Sequence, residues 1–242
     1  MIRLNPVIAD DDPALQLYQD AIANQWKSIT LIGEAPFTGV DGSTQRLIVD
    51  VLSPLLCAEQ GSVLQVATLL PRFLQAGKPT PELFLASMML DEARHVEVLW
   101  RLLSAASPAG DGRADVFWQA QPLVLPEEEV QAAALLTAEA MGRGVCYDLL
   151  AKRFENTSLQ GVLIKLKEEE LRHVAFGVSG VGDGGAALGH LLEQTPAHDR
   201  VPGPAEVWAK LGITVQQRRE SEARLLDEAT RAACGYPLTK ST

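Results

Sequence analysis

Four glutamates stand inside apolar helical stripes, where an unpaired carboxylate is costly. Glu59 has Leu52, Leu55, Leu56, Val63 and Val66 at offsets of three, four or seven residues. Glu92 has Leu85, Met88, Met89, Val96 and Leu99 at the same offsets. Glu139 has Ala132, Leu135, Leu136 and Cys146, and Glu170 has Leu163, Leu166 and Val174. Residues so spaced share one helix face. Each of four long helices is therefore expected to carry one acid into the core. Buried carboxylates are destabilising unless paired, and four together repel one another. A fold that accepts them must bring in positive charge.

The histidines indicate what that charge is. The chain has four, and two stand three residues after a stripe glutamate, in Glu92-x-x-His95 and Glu170-x-x-His173. An (i, i+3) pair projects both side chains the same way, so both reach one ion. The surroundings repeat too: Asp91-Glu92-Ala93-Arg94-His95-Val96 against Glu169-Glu170-Leu171-Arg172-His173-Val174. Four glutamates bring −4 and two divalent ions bring +4, so the core charge closes to zero. Mixed carboxylate and imidazole ligands suit iron or manganese. Glu59 to Glu92 spans 33 residues and Glu139 to Glu170 spans 31. Each interval lets one helix turn and its neighbour return to the same depth.

Punctuation along the chain agrees with a helical reading. Asp12-Pro13 opens an amphipathic stretch reaching about Lys27, and residues 30–44 read as loop. A long periodic stretch covers 44–76, with Pro54 and Pro71 expected to kink or divide it. Thr80-Pro81-Glu82 reads as a helix start with Thr80 as N-cap, continuing to about Ala106. Residues 107–126 form the longest break, the size of a bundle crossover. Pro126 and the acids Glu127, Glu128 and Glu129 open the next helix, which runs to about Phe154. Another follows from Thr157-Ser158. Shorter pieces cover 186–194, 205–211 and 215–233. No stretch alternates as a strand does. The expectation is one all-α domain over 1–242, with a metal-binding bundle at about 45–180 and a C-terminal helical extension at about 186–233.

Composition closes off other classes. Acids outnumber bases 31 to 21, for a net charge of −10, the wrong sign for a phosphate-backbone binder. No apolar run free of charge is expected to reach the ~18–20 residues of a membrane span. The start, MIRLNPVIADDD, is too short and too acidic for a signal or transit peptide. Cys57, Cys146 and Cys234 are scattered and odd in number, which reads as reduced thiols in a cytoplasmic protein.

On the paired Glu-x-x-His blocks and the two further stripe glutamates, the sequence resembles the ferritin-like superfamily of dimetal carboxylate proteins. It looks most like the ribonucleotide reductase small subunit and the related ligand-binding oxidases. The resemblance covers about residues 45–180. It implies a ferritin-like four-helix bundle with extra N- and C-terminal helices. It also implies the ligand set Glu59, Glu92, His95, Glu139, Glu170 and His173. In the family, the acid before each Glu-x-x-His holds the histidine of the other half. That pairs Asp91 with His173 and Glu169 with His95, with Arg94 and Arg172 balancing those acids; exposed arginines on a solvated face are the alternative.

The resemblance implies two metal ions, Fe/Fe or Mn/Fe, and O2 as co-substrate. The expected activity is an oxidase or oxygenase acting on a small apolar or aromatic molecule, served by an external electron donor, with a homodimer allowed. Alternatives are iron oxidation and storage, or a reductase-like subunit lacking the usual radical tyrosine. The radical-tyrosine position, one turn after the first ligand histidine, is Leu99. The ligand-binding oxidases carry a cross-linking tyrosine about a turn before the third glutamate, where this chain has Ala134 and Leu135. Small residues Gly61, Ala138 and Gly142 are candidates to leave room for substrate. Arg143, one turn after Glu139, reads either as a contact for an acidic substrate group or as a salt bridge outside the chamber. Tyr147 reads as an ordinary core tyrosine, and Trp26 as a packed one.

Overall fold

A computed structural model describes residues 12–76, 79–106, 125–179, 184–196 and 199–234. The helices are α1 (Pro13–Ala23), α2 (Ser28–Ile32), α3 (Gly42–Ala76), α4 (Pro79–Ala106) and α5 (Glu129–Arg153). They continue with α6 (Ser158–Ser179), α7 (Gly184–Gln194), α8 (Ala205–Lys210) and α9 (Val215–Ala233). No strand occurs among the described residues. Most of the expected crossover, residues 107–124, lies outside them, as do the N-terminal 1–11, His198 and the tail from 235 onward.

Two long hairpins make the core. α3 packs along α4, and Gln45 bonds the carbonyl of Ala106 at 3.2 Å while Ser62 bonds Glu92 at 2.8 Å. Rising numbers on one helix meet falling numbers on the other, so the pair is antiparallel. α5 and α6 are antiparallel by the same test. A Cβ on Gly144 would lie 3.5 Å from Glu170 Cβ, and one on Gly177 only 1.8 Å from Thr137 Oγ1. That last approach leaves no space for a side chain at Gly177, so glycine sets the interhelical distance there. α1 lies across α4 and α6, α7 and α9 cover α5 and α6, and α8 rests on α3. Leu52, Leu55, Leu56, Leu85, Met88, Leu99, Leu163 and Leu166 fill the space between the hairpins. Fully burying each such side chain contributes about 1.5–3 kcal/mol.

Several boundaries differ from the sequence expectation. α1 stops at Ala23, and the stretch read as loop contains the short helix α2. Five residues are too few to display a period. Asp12 caps α1 by accepting from Ala14 and Leu15 N–H groups at 2.9 and 3.1 Å. Its other oxygen accepts from the Thr80 hydroxyl at 3.1 Å, so Thr80 ties α4 to α1 rather than capping it, and α4 begins at Pro79, two residues before the expected first position Pro81. Neither Pro54 nor Pro71 divides α3, which is one helix of 35 residues. Burial of its apolar face along both turns outweighs the two lost backbone bonds. Gly203, at φ +103°, packs on the Pro54 ring. The stretch Gly42–Gln75 also proves long and apolar enough to cross a membrane by length and composition, against the sequence expectation. Half of its most apolar window is buried inside the bundle, as in a core helix.

Candidate metal centre

Four helices send their polar side chains to one level of the core. α3 contributes Glu59, α4 contributes Glu92 and His95, and α6 contributes Glu170 and His173, all at most 1% exposed. α5 contributes Arg143 and Tyr147, which lie four residues apart on one face.

The first group of ligand atoms comes from Glu59, Glu92, His95 and Glu170, and these atoms lie within 4.8 Å of one another. His95 Nδ1 is 3.5 Å from Glu59 Oε2, 3.6 Å from Glu92 Oε2 and 3.4 Å from Glu170 Oε1. His95 Nδ1, Glu59 Oε2 and Glu92 Oε2 are buried without a hydrogen bond. Buried polar atoms are nearly always hydrogen-bonded, so three unbonded atoms aimed at one point, of which Glu59 Oε2 has an ion-pair contact with Arg143 at 3.1 Å, mark a place for a further partner. An ion about 2 Å from each ligand separates neighbouring ligands by about 3 Å, close to the spacing here.

A second group lies beside it. His173 Nδ1, also without a hydrogen bond, is 3.4 Å from Glu92 Oε1 and 3.5 Å from Glu170 Oε2. The two imidazole rings are 6.1 Å apart between centroids.

The far nitrogens of both rings are fixed by crossed acids. His95 Nε2 is 3.0 Å from Glu169 Oε2, and His173 Nε2 is 3.4 Å from Asp91 Oδ2. An N–H donated outward from Nε2 turns each Nδ1 toward the glutamates, where an ion would take the place of its proton. Arg94 bonds both Asp91 and Glu169, reaching the latter at 2.6 Å, and Arg172 stands 3.3 Å from each. Both arginines are buried here, not solvated. Trp26 donates its indole N–H to Glu169 at 2.8 Å, beneath the Arg94 guanidinium.

Arg143 is the residue whose place sequence reasoning missed. Its Nε donates to Glu170 Oε1 at 2.9 Å and stands 3.1 Å from Glu59 Oε2. Its terminal nitrogen donates to Glu92 Oε1 at 2.8 Å and to Glu170 Oε2 at 3.1 Å. The side chain is 2% exposed. A signal was present: α5 is buried almost all round from Ala132 to Ala151, so a charge within it needs a buried acid.

Glu139 is the one expected ligand that the structure places elsewhere. Its side chain is 22% exposed and accepts from Arg200 at 2.7 Å. Gly142 explains the approach of Arg200, because a Cβ there would lie 3.1 Å from Arg200 Cβ and 3.2 Å from its carbonyl oxygen. Gly142 therefore faces the chain near residue 200 and leaves no room for substrate. Ala138 is likewise covered, packing with Leu188 of α7.

Charge follows geometry. Burial pushes Glu59 up, and Glu92 and Glu170 add to this against the pull of Arg143, leaving it at about 8. Burial also acts on Glu92 and Glu170, but there Arg143 and the hydrogen bonds win. Glu92 falls well below the carboxylate range and Glu170 to about 2. Burial opposes protonation of both histidines, yet the carboxylates around them hold both well above the ordinary imidazole value. Burial, then Glu59, raises Tyr147, which stays a phenol and donates to Glu59 Oε1.

The donor set fits one divalent ion at Glu59, Glu92, His95 and Glu170. It does not fit a second beside His173 while Arg143 holds the remaining oxygens of Glu92 and Glu170 and Glu139 is paired elsewhere.

No protein-family model matches the chain, and no curated protein matches it by sequence. Solved structures do match. An R2-like ligand-binding oxidase with aerobically reconstituted Mn/Fe cofactor aligns over 97% of this chain and 96% of its own, with TM-score 0.66 and 17% identity. Another, with aerobically reconstituted metal cofactor after photoconversion, aligns over 93% and 94%, with TM-score 0.67 and 15% identity. The R2-like ligand-binding oxidase of Sulfolobus acidocaldarius aligns over 93% and 91%, with TM-score 0.60 and 14% identity. The chain thus has the ferritin-like helical fold seen in the R2-like ligand-binding oxidases.

Proposed function

We propose that the protein is a metal-dependent oxidase or oxygenase that uses O2 on a small apolar or aromatic substrate. The observation that carries this reading is the set of buried, unbonded ligand atoms of Glu59, Glu92 and His95 converging with Glu170. The fold neighbours, R2-like ligand-binding oxidases reconstituted with Mn/Fe, support it at the level of fold.

Glu59, Glu92, His95 and Glu170 would hold the ion, and this donor chemistry suits iron or manganese, the elements of the expected Fe/Fe or Mn/Fe pair. A redox-active ion bound there would pass to O2 the electrons drawn from the substrate and the external donor. The chain does the rest. Glu169 and Asp91 orient the imidazoles, Tyr147 orients Glu59, and Arg143 keeps Glu92 and Glu170 ionised. Leu55, Leu56, Leu99, Leu163, Leu166 and Phe84 keep bulk water away, which suits an apolar substrate. The reading includes an external electron donor and a cytoplasmic setting, in keeping with three unpaired cysteines.

The test is anaerobic loading with Fe(II) or Mn(II), followed by exposure to O2 in an oxygen electrode. Loaded protein consumes O2, and His95→Ala does not. Equal uptake by both would remove this centre from the reaction. Elution as a large hollow assembly would favour iron storage instead.

A further inference from the structure

We infer that the centre takes a single divalent ion and that the Arg143 guanidinium stands permanently where a second cation would sit. This rests on the reading of the cluster as a metal centre, and it concerns how many ions that centre holds.

Three observations converge. The first ligand group is complete in number, with one oxygen from each of three glutamates and Nδ1 of His95, and Arg143 touches it only through Nε, 2.9 Å from Glu170 Oε1 and 3.1 Å from Glu59 Oε2. The second is not. His173 Nδ1 has two oxygens near it, Glu92 Oε1 and Glu170 Oε2, and both accept from the terminal nitrogen of Arg143. Ser62 also donates to Glu92 Oε1 at 2.8 Å, so that oxygen is already shared. Finally, the acid that would complete a second site, Glu139, is bound to Arg200.

The charge count agrees. With both imidazoles neutral, as metal binding requires, Glu59, Glu92 and Glu170 bring −3 and Arg143 brings +1, which leaves −2 for one divalent ion to neutralise in place of the histidine protons. A second ion would carry the site to +2, because the acids behind the histidines, Asp91 and Glu169, are already paired with Arg94 and Arg172. Arginine suits the role because its guanidinium stays protonated in proteins and its planar fork spans several carboxylate oxygens at once. Expelling it would strand a buried charge away from three carboxylates, a strongly unfavourable change.

The experiment counts ions. The full chain is loaded anaerobically with Mn(II), passed through a desalting column, and assayed for metal by mass spectrometry and by electron paramagnetic resonance. The expected result is one Mn per chain, with the six-line signal of an isolated ion. Two per chain, with a spin-coupled signal, would overturn the inference while leaving the metal reading intact. No bound Mn would overturn both. Glu139→Gln is expected to keep one Mn per chain with affinity within about two-fold, because a true ligand partner costs ten-fold or more. A ten-fold loss would return Glu139 to the ligand set and sink the proposal. Arg143→Met is expected to raise the count above one, and an unchanged count would show that the guanidinium is not what excludes the second ion.

Discussion

Arg200 holds the carboxylate of Glu139 at 2.7 Å, one helical turn from the place where Arg143 gathers Glu59, Glu92 and Glu170. The two pairs differ in setting. Arg200 and Glu139 are partly exposed, and pairs of that kind contribute about 0–1 kcal/mol. Arg200→Ala is therefore expected to lower stability by no more than this in urea titration and to leave metal content unchanged. A larger loss would make the pair a structural clasp.

Glu169 gathers the His95 imidazole, the Trp26 indole and Arg94. Glu169→Gln should weaken Mn(II) binding about 10–100-fold, because His95 loses its orienting carboxylate. Asp91→Asn, which acts on His173, should cost clearly less if His173 lies outside the first ligand group. Competition against a chelator gives both constants.

Tyr147 donates to Glu59 Oε1 in a fully buried setting. Tyr147→Phe leaves that oxygen without its donor, and a loss of about 1–3 kcal/mol is expected. Urea unfolding with a chelator present measures it free of metal linkage. A loss near zero would show that Glu59 finds another partner.

Asp148 accepts from Ser221 at 2.8 Å, bonds Arg224, and lies 3.0 Å from Lys152. Burial pushes its carboxyl up, but Arg224 and Lys152 outweigh this and hold it below the ordinary 3.8. A depressed folded-state pKa adds stability above the unfolded value and loses it as pH falls through the folded one. Asp148→Asn should therefore be less stable than the parent at neutral pH, by about 1–2 kcal/mol. The difference should close as pH drops below 3.8. A gap independent of pH would remove Asp148 as its source.

Much of this architecture was readable in the residues. The helices from Ser158, Ala205 and Val215 begin at or next to where capping residues and periodicity put them. The two Glu-x-x-His blocks and Glu59 come together because one helical period decides which face each occupies. The exchange of Glu139 for Arg143 has a different origin. They are four residues apart, so the period puts both on the same stripe. Which of two successive turns stands level with His95 and His173 depends on how α5 slides along α6. Close helix–helix contacts set that slide, among them Gly177 against Thr137, away from the ligands, and Gly144 against Glu170 itself. The short helix α2 escaped for a simpler reason, since one turn shows no periodicity.

Gly144 also carries a message about the end of the chain. A Cβ there would meet Glu170 Cβ at 3.5 Å and Leu225 Cδ1 at 3.6 Å, so α9 stands directly behind the helix that supplies Glu170. A chain cut short before Val215 would still contain every proposed ligand, yet it would let solvent seep in along the rear of Glu170. The C-terminal helix thus serves the reactive interior as its waterproofing.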